Sequence, residues 1–227
     1  MTVPGEGEKR FSRNATPFAH PSDFSRERHR EAIHAKARRF LGKYMKPGST
    51  GAELGVFWAH FADIIADEFA PEKLYLVDPY DRLHGANYPD WGRYTNFGKL
   101  TTAETEAKAR EIEARHPGKV ELRKETAVEF LAGMPDGHFD WLYLDAGHTK
   151  AEVKRDLMAA WPKMKPGGYL IGDDYFLFDA DLHHTGVIHA VNEFVEEHDL
   201  ELMFEDHNQY MIRRPKTGGK QGEDDAS

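Results

Sequence analysis

Residues 139–175 hold the clearest fold signal of the sequence: FDWLYLDAGHTKAEVKRDLMAAWPKMKPGGYLIGDDY. An apolar run at 141–146 ends just after an acid, an amphipathic segment follows at 149–164, and a second apolar run at 169–175 again ends in acids. Two apolar runs joined by an amphipathic segment indicate parallel strands with a crossover helix, because parallel strands are covered on both faces. The Pro166-Gly167-Gly168 sequence predicts a turn between the helix and the second strand.

The same alternation continues in both directions from this stretch. Further strands are predicted at 51–56, 73–78, 120–124, 200–207 and 209–214. Further helices are predicted at 60–69, 102–116, 126–134 and 185–198. This order predicts an α/β fold with a doubly wound, mostly parallel sheet that ends in a hairpin.

The chain is long enough for one folded domain, which we place at 23–214. Residues 1–22 are polar and proline-containing, without a hydrophobic period, which predicts a flexible arm or lid. Residues 215–227 predict a disordered tail.

The first helix is predicted to begin at Asp23 and to carry an apolar stripe at spacings of three and four. Its opposite face is basic and includes Arg38 and Arg39, which is typical of a solvated helix surface. This helix also offers a homodimer contact, although nothing in its pattern demands one.

Composition excludes several classes of function. The 30 Lys and Arg against 39 Asp and Glu give a net charge of −9, which makes nucleic acid an unfavourable partner. The absence of cysteine excludes disulfides and thiol chemistry. No run of about 18 apolar residues is present, so we expect no membrane span, and the N-terminus lacks the pattern of a signal peptide. The expected location is therefore the cytoplasm.

The long segment at 78–99 is rich in aromatic residues and interrupted by Gly and Pro, and loops of this length are often functional. With the arm, it could close over a ligand site. Its aromatic side chains could form a pocket, or could only pack a lid or a dimer contact; the set is Phe18, Tyr80, Tyr88, Trp91, Tyr94 and Phe97.

Sheets of this kind bind ligands at the carboxyl ends of their strands. Glu53 and Gly55 lie where the first strand turns into its helix, and Gly55 would let a ligand approach the backbone. The spacing from Gly51 to Gly55 does not match G-x-G-x-x-G, so a pyrophosphate cradle is not indicated. Asp78 ends the second strand and could accept hydrogen bonds from ribose hydroxyls, or could cap the turn at Pro79.

Three further acids follow the next two strands. Asp145 ends one strand, and Asp173 and Asp174 end its neighbour. Carboxylates brought together repel one another, and a divalent cation such as Mg²⁺ would relieve this repulsion. The alternative is that each acid caps the segment after it. His148 lies beside these acids at a helix entrance and could act as a general base or as a capping residue.

The motifs at these strand ends resemble those of class I S-adenosylmethionine-dependent methyltransferases. More narrowly, they resemble the metal-dependent O-methyltransferases of the macrocin and aminocoumarin sugar type. The resemblance rests on D-x-x-H, a helix, K-P-G-G and G-D-D-Y within 145–175, on AELGVFWAHFA at 52–62, and on LYLVDPY at 74–80. It covers about residues 48–214. It implies a Rossmann-like sheet of seven strands in the order 3-2-1-4-5-7-6, with the last strand antiparallel.

The resemblance also implies a role for individual residues. The cofactor is expected to be S-adenosylmethionine, with Asp145 beside it. Its methionine and ribose portions are expected to contact Glu53, Gly55 and Val56. Asp78 is expected to bind the ribose, and Thr126 and Ala127 are expected to border the adenine. The metal ligands, with magnesium as the expected ion, are expected to be Asp145, Asp173 and Asp174. The base is expected to be His148 or Asp145.

The implied reaction is methylation of a hydroxyl on a small molecule such as a sugar, a polyketide or a phenolic compound. The sequence departs from the family pattern at Ala59, where a glycine is expected, at Phe61, where a small polar residue is expected, and at the bulky Trp58. These departures leave open a non-catalytic binding protein on the same scaffold. A nicotinamide-dependent oxidoreductase is a weaker alternative, since the chain has neither G-x-G-x-x-G nor Tyr-x-x-x-Lys.

Overall fold

The computed structural model describes residues 21–176, 185–204 and 208–216. The strands are β1 Thr50–Leu54, β2 Lys73–Val77, β3 Val120–Arg123, β4 Phe139–Leu144, β5 Met164–Gly172, β6 Leu202–Phe204 and β7 Tyr210–Arg213. The α-helices are α1 Pro21–Ala37, α2 His60–Ile64, α3 Asp81–His84, α4 Thr102–Arg115, α5 Ala127–Ala132, α6 Lys150–Ala160 and α7 Gly186–Glu197. Shorter helical turns cover Arg38–Lys43, Ile65–Phe69, Gly92–Thr95 and Trp161–Lys163.

The seven strands form one sheet in the order β3-β2-β1-β4-β5-β7-β6, as the resemblance implied. β1 pairs in parallel with both β2 and β4, which places the reversal of strand order between β1 and β4. β7 runs antiparallel to β5 and to β6. Open sheets bind ligands at such a reversal, at the carboxyl ends of the strands.

Each face of the sheet carries its own core layer. Trp141 and Tyr143 of β4 pack into the layer that includes Phe61 of α2. Leu142 and Leu144 of the same strand pack into the layer that includes Phe194 of α7. Alternate side chains of a strand point to opposite faces, so these continuous apolar runs are buried on both sides.

Three helices begin with the same capping device. Thr101, Thr126 and Thr149 each accept a hydrogen bond from the backbone three residues later, and a glutamate at that later position accepts one from the threonine backbone. The T-x-x-E pattern satisfies backbone N–H groups that the first helical turn leaves unpaired. It fixes where α4, α5 and α6 start.

Several predicted boundaries are wrong. β5 begins at Met164, so Pro166-Gly167-Gly168 lies inside the strand, where Gly167 has φ +81° and the register with β4 shifts. The predicted helix at 149–164 ends at Ala160 and continues as a 3-10 turn. α1 begins at Pro21 instead of Asp23. Most of the predicted arm (1–20) and tail (217–227) lies outside the described residues.

Within the described residues, the helices are too short or too polar to cross a membrane.

Candidate functional site

The candidate site residues lie along the carboxyl edge of the sheet. Thr126 follows β3, Asp78 follows β2, Glu53 is in β1, Asp145 follows β4 and Asp173 follows β5. Adjacent strands are about 4.8 Å apart, so these five strand ends span roughly 19 Å. The reversal between β1 and β4 lies between Glu53 and Asp145.

Glu53 is the most deeply buried acid of this edge, with 2% of its surface exposed. Its Oε2 atom is buried and has no hydrogen-bond partner among the described residues. Burial, with the negative charge of Asp145, raises the pKa of Glu53 well above its ordinary value. A buried carboxyl oxygen without a partner is costly unless a ligand or a proton satisfies it.

Gly55 is required by the chain itself. It has φ +97°, and a Cβ atom at this position would lie 1.9 Å from the carbonyl oxygen of Asp145. The backbone at the end of β4 therefore fills the side of Gly55 on which a Cβ atom would lie. Asp145 N–H donates to the Leu54 carbonyl at 2.9 Å, which holds the two strand ends together.

Asp78 organises the first turn through backbone hydrogen bonds. Its Oδ2 accepts from the N–H groups of Val56 and Phe57 at 3.0 Å each, and its Oδ1 accepts from Tyr80 N–H at 2.9 Å. Burial nonetheless raises the pKa of Asp78 above its ordinary value, against the effect of these three N–H groups. A carboxylate has about four acceptor positions, so Asp78 caps this turn and still has one position for a ligand.

Thr126 and Ala127 begin helix α5. The hydroxyl of Thr126 lies 3.0 Å from Glu129 Oε2 and accepts from Glu129 N–H at 3.3 Å, while Ala127 packs in the core. The described contacts of Thr126 are therefore those of a helix cap.

Asp145, His148 and Asp174 form a compact group of possible metal ligands. One donor atom from each lies within 4.8 Å of the others. His148 Nε2 is 3.2 Å from Asp174 Oδ2 and 3.9 Å from Asp145 Oδ1. Asp174 adopts a left-handed backbone with φ +59°, a conformation that is uncommon outside glycine and that often marks functional positions.

Arg38 also enters this site, which the sequence analysis did not predict. Its Nη1 lies 3.2 Å from Asp145 Oδ2, and its Nη2 donates to Asp173 Oδ2. Only 16% of the side chain is exposed. The expectation of a solvated basic face is therefore wrong at Arg38, because the guanidinium balances the buried Asp173 and the half-buried Asp145. The partners are 107 and 135 residues away in sequence, so no local pattern could indicate this contact.

Asp173 differs from the other two acids. Its Oδ1 accepts from Asp174 N–H at 2.8 Å and from the Gln209 side-chain amide, and Tyr143 hydroxyl donates to Gln209 at 2.8 Å. With Arg38 on Oδ2, both oxygens of Asp173 are engaged. The structure therefore brings all three predicted acids together, but the group with metal-ligand geometry has His148 in place of Asp173.

The charges of this cluster shift the pKa of each member. Burial lowers the pKa of His148, but its contact with Asp145 and the charge of Asp174 outweigh burial and raise it to about 9. Burial opposes the ionisation of Asp145, but His148 and Arg38 prevail and its pKa lies below the ordinary value. Burial and the charge of Asp145 raise the pKa of Asp173 to about 7, and the same two causes raise that of Asp174.

Aromatic side chains form a wall beside these acids. Phe57 stacks on Tyr94 with ring centroids 4.3 Å apart and contacts Tyr88 edge-on at 5.0 Å. Burial raises the pKa of Tyr94 well above its ordinary value, and the charge of Asp145 adds to this effect. Of the other predicted pocket residues, Tyr80 is fully buried, Trp91 is 47% exposed, and Phe18 lies outside the described residues.

Comparison with known proteins identifies the family. The sequence profile of a methyltransferase domain matches residues 49–175, which is more than half of the chain. No curated protein matches the chain.

Solved structures share the fold. A Corynebacterium glutamicum protein is similar with a TM-score of 0.58 and 12% identity, over 87% of this chain and 91% of that one. The O-methyltransferase NovP is similar with a TM-score of 0.55 and 18% identity, over 80% and 79%. A Staphylococcus aureus protein, provisionally named a caffeoyl-CoA O-methyltransferase, gives a TM-score of 0.54 and 10% identity, over 80% and 83%. The profile match shows that the chain belongs to the methyltransferase domain family, whose methyl donor is S-adenosylmethionine.

Proposed function

We propose that the chain transfers a methyl group to a hydroxyl oxygen of a small molecule, as an O-methyltransferase of the macrocin and aminocoumarin sugar type. The observation that carries this proposal is the group of Asp145, His148 and Asp174 beside the orphaned carboxyl of Glu53. It combines acids, a proton acceptor and an unsatisfied buried acceptor atom at one strand reversal. A sugar, a polyketide or a phenolic compound would supply the hydroxyl.

The carboxyl edge fits S-adenosylmethionine. Glu53 Oε2 lacks a partner in the described part of the chain, and the ammonium group of the methionine portion would satisfy it. The free acceptor position of Asp78 suits a ribose hydroxyl, and Gly55 and Val56 complete the turn between these two acids. Thr126 and Ala127 would border the adenine. When bound, the cofactor supplies an electrophilic methyl group on a positively charged sulfur.

Proton removal falls to His148 or Asp145. With a pKa of about 9, His148 is protonated on both ring nitrogens at neutral pH, so it could act as the base only after compensation of the nearby carboxylate charge lets it lose one proton. Asp145 remains ionised at neutral pH and can accept a proton directly, although its lowered pKa makes it a weak base. In either case the proton leaves the hydroxyl as its oxygen forms the bond to the methyl carbon and the carbon–sulfur bond breaks.

A divalent cation fits the donor set: the two carboxylates suit Mg²⁺, whereas the imidazole is a ligand that suits transition metals better. Asp145 and Asp174 would hold it through oxygen, and His148 Nε2, which is buried and makes no aligned hydrogen bond to another described residue, is a third donor. The ion would lower the pKa of the hydroxyl that it contacts. A nitrogen that ligates an ion cannot also accept a proton, and Asp145 would have one oxygen on the ion and the other beside Arg38, so the ion does not by itself select one of the two as the base.

The aromatic wall favours an acceptor that contains a ring. Phe57 and Tyr94 present a stacked pair next to the acids, and ring faces of this kind contact sugars and phenols well. We further propose a small-molecule partner, no nucleic acid, no membrane and a cytoplasmic location, with a homodimer as the open question.

Calorimetric titration with S-adenosylhomocysteine in the presence of magnesium tests the proposal first. We expect micromolar binding, about −8 kcal/mol. Glu53→Gln should weaken it by about tenfold, because the amide cannot offer a negative charge to an ammonium group. Glu111→Gln, at an exposed position of α4, is the matched control and should bind like the wild type.

With binding established, a screen of vicinal diols and catechols tests methyl transfer. His148→Ala should reduce turnover by about 100-fold or more if His148 moves the proton or holds the ion. His189→Ala, at an exposed position of α7, is the control. Absence of cofactor binding in the wild type would support the non-catalytic binding protein instead.

The departures at Trp58 and Phe61 do not favour a non-catalytic binding protein, because the two side chains pack against α1 and the helical turn that follows it. Trp58 packs against Arg28 at 4.4 Å and against Phe24 at 6.1 Å, and Phe61 packs beneath Arg38, which follows α1. The described contacts of these two residues therefore account for their size.

A further inference from the structure

Arg38 has a built seat in the site. Its guanidinium carbon lies 5.6 Å from the ring centre of Phe61 and 5.7 Å from that of Tyr143. These two rings pack against each other at 4.8 Å. The aromatic faces and the acids together hold the guanidinium on several sides, which is a geometry that favours arginine over lysine.

The seat depends on a residue that departs from the family pattern. Phe61 stands where the resemblance expects a small polar side chain, and it supplies the apolar floor beneath Arg38. A small residue at position 61 would leave the guanidinium without this floor. The position of Arg38 in the site therefore depends on the Phe61 ring.

The guanidinium divides the acid cluster in two. Arg38 contacts Oδ2 of Asp145 and Oδ2 of Asp173, whereas His148 faces Oδ1 of Asp145 and Oδ2 of Asp174. Asp145 thus belongs to both sides. Asp173 belongs only to the Arg38 side, because its other oxygen is held by Gln209 and by the backbone of Asp174.

We propose that Arg38 is a resident counter-ion that removes Asp173 from the cation-ligand set, leaves a divalent cation the face formed by Asp145, His148 and Asp174, and lowers the affinity of the site for that cation. The inference rests on the proposed function only in treating the acid cluster as the place where a cation binds. It makes Arg38 a positioning residue that sets cation affinity through the two carboxylates.

Titration with Mn²⁺, followed by electron paramagnetic resonance of the free ion, tests the division of the cluster. In the wild-type chain, Asp174→Asn should weaken Mn²⁺ binding by about tenfold or more, because a ligand is lost. Asp173→Asn should change it by less than about threefold, because Arg38 and Gln209 already hold that carboxylate. Equal losses in the two variants would overturn the proposal.

Variants at position 38 test the counter-ion. Arg38→Met should bind Mn²⁺ at least about tenfold more tightly, because Asp145 and Asp173 lose their positive partner. In the Arg38→Met background, Asp173→Asn should weaken Mn²⁺ binding. Arg38→Lys keeps the charge but not the planar fork that reaches both acids, so its Mn²⁺ affinity should lie between those of the wild type and Arg38→Met. The neighbouring Arg39→Met, whose side chain pairs with Glu68 at the surface, should change nothing.

Each remaining outcome is decisive. Mn²⁺ binding that appears only in Arg38→Met supports the proposal. Unchanged or weaker Mn²⁺ binding by a folded Arg38→Met overturns it. Absence of Mn²⁺ binding in every variant also overturns it. If circular dichroism shows that Arg38→Met does not fold, the comparison of Asp173→Asn with Asp174→Asn in the wild type decides. Failure of the proposed function would show separately, as loss of S-adenosylhomocysteine binding by the wild type.

Discussion

The carboxyl edge of the sheet has two halves that satisfy their polar groups in different ways. In the half that we propose binds the cofactor (the cofactor half), at the ends of β3, β2 and β1, Asp78 accepts hydrogen bonds from three N–H groups at most 22 positions away, and Thr126 bonds to Glu129, three residues later. In the acid half, at the ends of β4 and β5, Asp145 and Asp173 share one guanidinium that lies more than 100 residues away.

This difference shows which half of the site depends on a distant side chain. The first turn of the proposed cofactor half is held by backbone N–H groups that donate to Asp78, so its shape does not depend on a distant side chain. The acid half is balanced only when the segment after α1 docks with Arg38 in place. Single substitutions should therefore damage the acid half more than the cofactor half, and four predictions test this expectation.

The largest effect is expected from Arg38→Met. Removing the guanidinium leaves the buried Asp173 and the half-buried Asp145 without their cation, and loss of one partner from a buried ion pair typically costs about 3–5 kcal/mol. The free energy of unfolding from urea titrations at pH 7 measures the loss. Added Mn²⁺ should restore part of it, because the ion compensates the same acids.

Arg39→Met is the control for this prediction. Arg39 lies one residue further along and pairs with Glu68, but 48% of its side chain is exposed. Exposed ion pairs contribute little to stability, so the stability of Arg39→Met should match that of the wild type within error. Equal losses at the two positions would show that the acid half does not depend on Arg38.

The sequence predicted the fold well and placed acids at the ends of its strands, because both follow from local patterns. Buried parallel strands appear as apolar runs, and their acids appear at the run ends, as at Asp78 and Asp145. T-x-x-E marks the starts of α4, α5 and α6, whereas the same pattern at 50–53 lies in β1, and the capping role of Thr126 went unrecognised. The role of Arg38 could not be predicted, because its helix face looks uniformly basic and only the tertiary packing separates Arg38 from Arg39.

The second prediction concerns Gly55, at the joint between the two halves. In Gly55→Ala the new methyl group would meet the carbonyl oxygen of Asp145 at 1.9 Å, and φ +97° is strained for alanine. Both halves must shift, so we expect a loss of about 3 kcal/mol or more in unfolding free energy.

Gly118→Ala separates the two causes of this loss. Gly118 has a similar φ of +77°, but nothing lies within 4 Å of its added Cβ. It carries only the backbone strain, which is about 1–2 kcal/mol. If Gly55→Ala were no worse than Gly118→Ala in the same urea titration, the close contact between the halves would be unimportant.

The third prediction concerns Asp156, which lies behind the acid half. It is 4% exposed and borders a cavity of about 20 Å³, room for roughly one water molecule, together with Asp145 and Asp173. Burial raises its pKa to about 6, and the partly opposing charge of Arg155 does not compensate. No counter-ion comparable to Arg38 reaches Asp156 among its described contacts.

A raised pKa means that the folded chain holds this proton more tightly than the unfolded chain. The stability contribution of Asp156 therefore falls as pH rises from about 4 to 6, and the fold carries the full cost of the charge above that range. Asp156→Asn should stabilise the protein by up to about 3 kcal/mol at pH 8 and by little at pH 4. Asp136→Asn, at an exposed carboxyl, is the control and should leave stability nearly unchanged at both pH values. A gain for Asp156→Asn that is equal at pH 4 and pH 8 would contradict the assignment.

The smallest effect is expected at the two threonines that cap helices in the two halves. Thr126 starts α5 in the cofactor half and Thr149 starts α6 in the acid half, with the same T-x-x-E capping box. Either Thr→Ala change should cost about 1 kcal/mol in unfolding free energy, because each removes one cap. The informative comparison is S-adenosylhomocysteine affinity measured on the same samples. Thr126→Ala should bind like Thr149→Ala, since the Thr126 hydroxyl already serves Glu129. If Thr126→Ala alone lost about tenfold in affinity, the hydroxyl would serve both helix and adenine, and the cofactor half would be less self-sufficient than its backbone contacts indicate.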